Sequence, residues 1–189
     1  MKNRFDLDDK FSFKNSVESL YNRQKKYFSS DDFKSYKRIY KKISNKNEDV
    51  LSIILGYFST HKLNGNSEDK IDFNKGIFIF KEKGIEFYYR KSILPFSETH
   101  IIKYPYSKIF KLSLQIHKAI IRKKYILFFL NEKEDTIFKV MGNNNSIVHG
   151  LNRLIDCHKY NQGPILYVKK QKFINKSENI TEGFEIFLK

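Results

Sequence analysis

The chain has 189 residues, 40% of them apolar and including 18 Phe and 12 Tyr, which supplies a sizeable core and excludes a disordered or fibrous class. Its formal net charge of +15 comes from thirty Lys against six Arg. Arg is the residue suited to bidentate phosphate and base-edge contacts, so this balance fits an AT-rich genome and a solvated surface better than a dedicated nucleic-acid protein. The lone Cys157 excludes an internal disulfide and predicts a reducing compartment.

The first residues lack the apolar run of a signal peptide, and Lys2 stands where myristoylation needs glycine. The longest apolar cluster, residues 50–58, is too short to span a bilayer. A cytoplasmic protein is expected. Residues 1–62 read as an N-terminal helical segment. Phe13, Val17, Leu20, Tyr21, Tyr27 and Phe28 recur at mostly helical spacing, and Ser29-Ser30-Asp31-Asp32 offers caps for a second stripe of Phe33, Tyr36, Ile39, Tyr40 and Ile43. A third helix is expected over Val50, Leu51, Ile53, Ile54, Tyr57 and Phe58. Residues 63–75 are polar and carry Gly65 between two Asn, the mark of a linker.

Residues 76–160 read as a β domain with a closing helix. Ile77-Phe78-Ile79-Phe80 and Ile85-Glu86-Phe87-Tyr88 flank Lys81-Glu82-Lys83-Gly84, a hairpin pattern. Ile93-Leu94-Pro95-Phe96 is a loop or an edge, since Pro cannot donate to a ladder. Phe110, Leu112, Leu114 and Ile116 alternate with Lys111, Ser113, Gln115 and His117, which predicts a strand with one wet face. Residues 125–130 are wholly apolar and so either central or covered on both sides, and Thr136 to Met141 answer them across a charged turn. From about Ser146 to Lys159 a helix is predicted, with Ile147, Val148, Leu151, Leu154, Ile155 and His158 inward and Asn152, Arg153 and Asp156 outward. Residues 161–189, the C-terminal β arm, carry two further strand-like runs, Ile165-Leu166-Tyr167-Val168 and Phe184-Glu185-Ile186-Phe187-Leu188, which read as extra strands or as an arm that packs on the barrel or on a second copy.

Three stretches give residues 76–160 a likeness to a known fold: His100 to Leu112 as the approach to a strand, the paired runs 125–129 and 136–140, and the helix bearing Leu151, Leu154 and Ile155. Together they resemble the pleckstrin-homology-like (PH-like) fold, especially its bacterial PH and GRAM-type relatives. The alternative is another small β-barrel or α+β domain. The resemblance implies an α+β chain whose small barrel, or strongly bent antiparallel sheet, is closed by one C-terminal helix. Family members bind phosphoinositides, peptides or proteins, and fold alone does not choose among these. Their inositol phosphate sites use basic residues around the first hairpin, where this chain has Lys81, Lys83, Arg90 and Lys91. Tyr88 stands where that pattern wants a cation, so the pattern is incomplete.

Two other basic clusters can meet an anion: Arg122, Lys123 and Lys124, and Lys169, Lys170 and Lys172. Tyr125, Tyr167 and Phe173 lie beside them as stacking faces, although Lys also fringes strand ends simply to block edge pairing. The stretch Lys83 to Tyr89 echoes an RNA-binding strand but lacks its aromatic and small residues at Ile85 and Glu86. The five His show no metal-ligand spacing, and no nucleophile elbow, P-loop or dinucleotide fingerprint is present. Glu98 and His100 could share a strand face as an acid–base pair, but chance supplies such pairs. The sequence therefore predicts a non-enzymatic binding or scaffold module, without cofactor, metal or small-molecule substrate. It would make protein contacts or self-associate, at an anionic membrane surface in one version. The alternative is a nucleic-acid-binding protein of a phage, plasmid or defence system that uses the lysine-rich patches.

Overall fold

The computed structural model describes residues 15–60, 74–90, 98–118, 123–160, 163–174 and 180–189. A two-residue strand β1 (Asn15–Ser16) leads into helix α1 (Val17–Gln24), whose first turn is capped by the Ser16 hydroxyl accepting from the Ser19 N–H. After a 3-10 turn at Lys25–Tyr27, Ser29 caps α2 (Ser30–Tyr40) in the same way. The short strand β2 (Asp49–Val50) pairs back on β1. Both expected helices are present, with Val17, Leu20, Tyr21, Phe33, Tyr36 and Ile39 buried.

The third helix is not there. Its residues form β3 (Ser52–Thr60), a strand hydrogen-bonded between two others. The run is apolar at nearly every position because both faces are covered, so its periodicity does not separate helix from strand. Ile53 and Leu55 face the α1–α2 cluster, while Ile54 and Phe58 face the main core.

The remaining elements follow in order: β4 (Asn74–Phe80), β5 (Gly84–Arg90), β6 (Thr99–Pro105), β7 (Lys111–Lys118), β8 (Lys123–Leu130), β9 (Thr136–Met141), α3 (Asn144–Lys159), β10 (Ile165–Ile174) and β11 (Ile180–Leu188). With β3 the strands make one nine-stranded antiparallel sheet in the order β10-β11-β7-β8-β9-β3-β4-β5-β6. The predicted hairpin joins β4 to β5, closed by Lys81 N–H donating to the Gly84 carbonyl. The expected linker up to residue 73, the loop at residues 93–96 and candidate residues Lys91 and Arg122 lie outside the described residues, and the linker's last two residues, Asn74 and Lys75, begin β4.

The sheet bends so that its two halves face each other. Phe78 of β4 stacks 5.6 Å from Phe129 of β8, and Tyr104 of β6 meets Phe138 of β9 edge-on at 4.8 Å. The protein is thus α+β with a large antiparallel sheet and three α-helices among the described residues. No strand pairing joins β6 to β10, so no closed barrel forms among the described residues.

α3 stands where a further strand would flank the first half of β3. Ser146 Oγ accepts from the Leu55 N–H at 3.0 Å, and Ser52 Oγ donates to the Gly150 carbonyl at 2.7 Å. This close approach requires glycine: a Cβ on Gly150 would sit 2.3 Å from Ile54 Cγ1. Arg153, expected to point outward, instead donates from Nε to the Leu51 carbonyl at 3.2 Å. Beyond α3, β9 takes over the pairing with β3 from Tyr57 onward.

The C-terminal runs are strands and join the main sheet. β11 is hydrogen-bonded to β7 on one side and β10 on the other, and Ile165, Ile186 and Leu188 belong to the main core.

Candidate functional site

The strand β7 departs from its pattern. Phe110, expected inside, is 37% exposed, while Lys111 and Ser113, expected in water, are 6% and 2% exposed. Lys111 Nζ is held between Glu134 Oε1 and Glu185 Oε1, each at 2.8 Å, and lies 5.6 Å from the Phe187 ring centroid. Burial opposes the charge on Lys111, but the hydrogen bonds to both carboxylates outweigh it and hold the ammonium above the usual lysine range. Glu185 arrives on β11, so the partner that buries Lys111 comes from the far end of the chain.

Phe110 packs edge-on against Phe187 at 5.5 Å, and Tyr167 stacks on Phe187 at 4.3 Å. Leu166 and Tyr167 are 56% and 46% exposed. The register slips between Ile165 and Tyr167, so Leu166 is a bulged residue. An aromatic strip thereby reaches the start of β10, the outermost strand on this side of the sheet.

The same strand carries Lys169, Lys170 and Lys172, all exposed. Lys170 stands opposite Phe184 and Lys172 opposite Glu182, in line with Leu114 and Ile116 of β7. Lys169 stands opposite Glu185 and so falls on the other face. Among the described residues, none of the three joins an ion pair. A groove of about 470 Å³ on the Lys170 face is lined by Ile116 and Phe184, with Lys170, Lys172 and Glu182 as its charged groups.

The other candidate cations are dispersed. On β8, Lys123 falls on the face of Leu114 and Ile116, and Lys124 on the opposite one. Three strand spacings, roughly 14 Å, separate β8 from β10. The described members of the two clusters are therefore on separate strands, and each cluster is divided between the two faces. Lys81 is engaged by Glu48 at 2.7 Å and Glu86 at 3.0 Å. Lys83 is exposed in the hairpin turn, and Arg90 ends β5 opposite Lys75 and Thr99.

A second cleft, of about 260 Å³, lies between α2 and the β9–α3 turn, lined in part by Tyr27, Asp32, Tyr36 and Asn143. Its polar groups are occupied in building the fold. The Asn143 side chain donates to the Tyr27 carbonyl and caps α3, and Ser29 caps α2. Burial pushes the Tyr36 hydroxyl far above the tyrosine range, so it stays protonated. Burial likewise raises the Cys157 thiol, which disfavours its nucleophilic form. His100 stacks 5.3 Å from Tyr89, and Glu98 is exposed.

The residues that sequence reasoning missed are Leu166 and Phe110. Each sits in an apolar run that signals burial, and only the bulge and the placement of β11 turn them outward. No family model, no curated protein and no solved structure matches the chain. No helix among the described residues is long and apolar enough to cross a membrane.

Proposed function

We propose that the protein is a non-enzymatic protein-binding module and that β10 is its contact edge. The observation that carries this is the coincidence of a ten-residue outermost strand with the exposed side chains of Leu166 and Tyr167. Exposed apolar groups beside an open strand edge are costly unless a partner covers them. A PH-like architecture for residues 76–160, with β3 added to its sheet, is part of the same proposal. Its support is the run of consecutive antiparallel strands from β3 to β9, the return of β9 onto β3, and α3 following at once.

Lipid recognition by the first hairpin is weakened by the commitment of Lys81 to two carboxylates. Nucleic-acid binding by a single basic face is weakened by the division of the lysines between two faces. The test is affinity purification of the full chain from its source cells. A double substitution, Leu166→Asp with Tyr167→Asp, should lose a protein partner that Ile101→Asp, on the opposite edge, retains. Identical partner sets for both variants would overturn the assignment to β10.

A further inference from the structure

Strand addition supplies a partner with main-chain hydrogen bonds along an edge, while the side chains on either face set the sequence it accepts. Building on the assignment of β10 as the contact edge, we infer that its occupant is an acidic, extended segment of another protein, added as a strand beside β10. Three features of the edge converge on that chemistry.

The first is geometric. β10 is ten residues long and ends the sheet, with no strand on its outer side among the described residues. Alternate N–H and C=O groups of such a strand point away from its one partner.

The second is the distribution of charge. Lys169 projects on one face, and Lys170 and Lys172 on the other. A nucleic-acid backbone laid on a sheet meets one face. A strand lying beside β10 has side chains on both, so it meets all three lysines. None of the three has an ion-pair partner among the described residues, and Glu185, opposite Lys169, is already held by Lys111 at 2.8 Å. These cations are therefore available to carboxylates brought by a partner. The same charges disfavour a second copy, because two β10 edges side by side would set lysine against lysine.

The third is the apolar relief on each face. On the Lys169 face, Tyr167 and Phe187 form a stacked pair at 4.3 Å that can take an aromatic or aliphatic side chain. On the Lys170 face, the groove of about 470 Å³ over Ile116 and Phe184 lies beside the two lysines. The preferred segment thus has acidic residues on both strand faces and one apolar residue level with Tyr167.

The experiment uses the full chain and three fluorescent peptides of about ten residues, the length of β10. One is built of Glu, Val and a single Tyr with Glu on both strand faces. The second replaces every Glu by Lys. The third is the acidic peptide with alternate amides N-methylated, which removes the donors a strand needs. The acidic peptide should bind, the other two should not, and binding should weaken with added salt. The triple variant Lys169→Glu, Lys170→Glu, Lys172→Glu should lose at least about tenfold affinity for the acidic peptide and gain affinity for the lysine peptide. All three positions are exposed, and an unchanged thermal melt confirms that the variant is folded. Failure of the acidic peptide to bind, or equal binding of the N-methylated peptide, would overturn strand addition. A mixed-sequence single-stranded oligonucleotide that binds more tightly than the acidic peptide, and is lost in the triple variant, would assign the lysines to nucleic acid instead. A cellular partner that depends on Leu166 and Tyr167 but ignores the lysine reversal would retain the module and remove only the acidic strand.

Discussion

The two edges of the sheet are built differently. β6 has seven residues, ends in Pro105, and exposes one large apolar side chain, Ile101. Its Lys103 reaches back to Glu86 at 3.2 Å, and Glu86 also accepts from Lys81 and from the Tyr88 hydroxyl. Proline and engaged charge are ordinary ways of blunting an edge. β10 is longer, carries three lysines without described ion-pair partners, and presents Leu166 and Tyr167. The charge network lies at the edge itself on the β6 side. On the β10 side it lies inward of the edge, between Glu185 of β11 and Lys111 of β7, which leaves the edge charges uncommitted.

The most severe way to break this comparison is to remove the β10 side. Deleting residues 165–189 strips Ile165, Ile186 and Leu188 from the core and leaves β7 unpaired on one side. Burial of such side chains contributes about 1.5–3 kcal/mol each, and a domain has only about 5–15 kcal/mol in hand. The truncated chain should show no cooperative melt by circular dichroism. A native-like melt would mean that the tail is dispensable.

A smaller effect separates the two charge networks. Glu185→Ala leaves the Lys111 ammonium buried with only Glu134, whose side chain is 65% exposed. The expected loss is about 2 kcal/mol in urea denaturation, because an under-compensated buried charge costs more than a surface pair returns. Lys103→Ala, at a side chain 74% exposed, should change stability by less than about 0.5 kcal/mol. Equal losses would erase the distinction between the networks.

The mildest test is pH. Burial pushes the Glu86 carboxyl up, but hydrogen bonds from Lys81 and Tyr88, with the Lys81 charge, outweigh it and hold the group below its ordinary value of 4.5. A carboxylate depressed on folding contributes stability that is complete above the unfolded value and is lost as pH falls through the folded one. Stability should therefore decline with acid below about pH 4.5, and Glu86→Gln should flatten part of that slope. An unchanged slope would show that the β6 network does not couple to folding.

The sequence by itself determined the local elements whose signal is local. Ser29 caps α2 where capping chemistry predicts, because a cap depends on residues three or four apart. The hairpin at Lys81–Gly84 and the central place of residues 125–130 were legible for the same reason, from turn residues and an uninterrupted apolar run. Tertiary structure decided the rest. Residues 52–60 form a strand because helices cover one face and the opposing half-sheet the other, a context no window of the sequence contains. Lys111 is buried because β11, some seventy residues downstream, brings Glu185 to it. The candidate site was half visible. Lys169, Lys170 and Lys172 stood out by composition, but the clustering of cations in sequence does not fix which face each one takes. A strand alternates its side chains between two faces, and only the register against β11 and β7 assigned them.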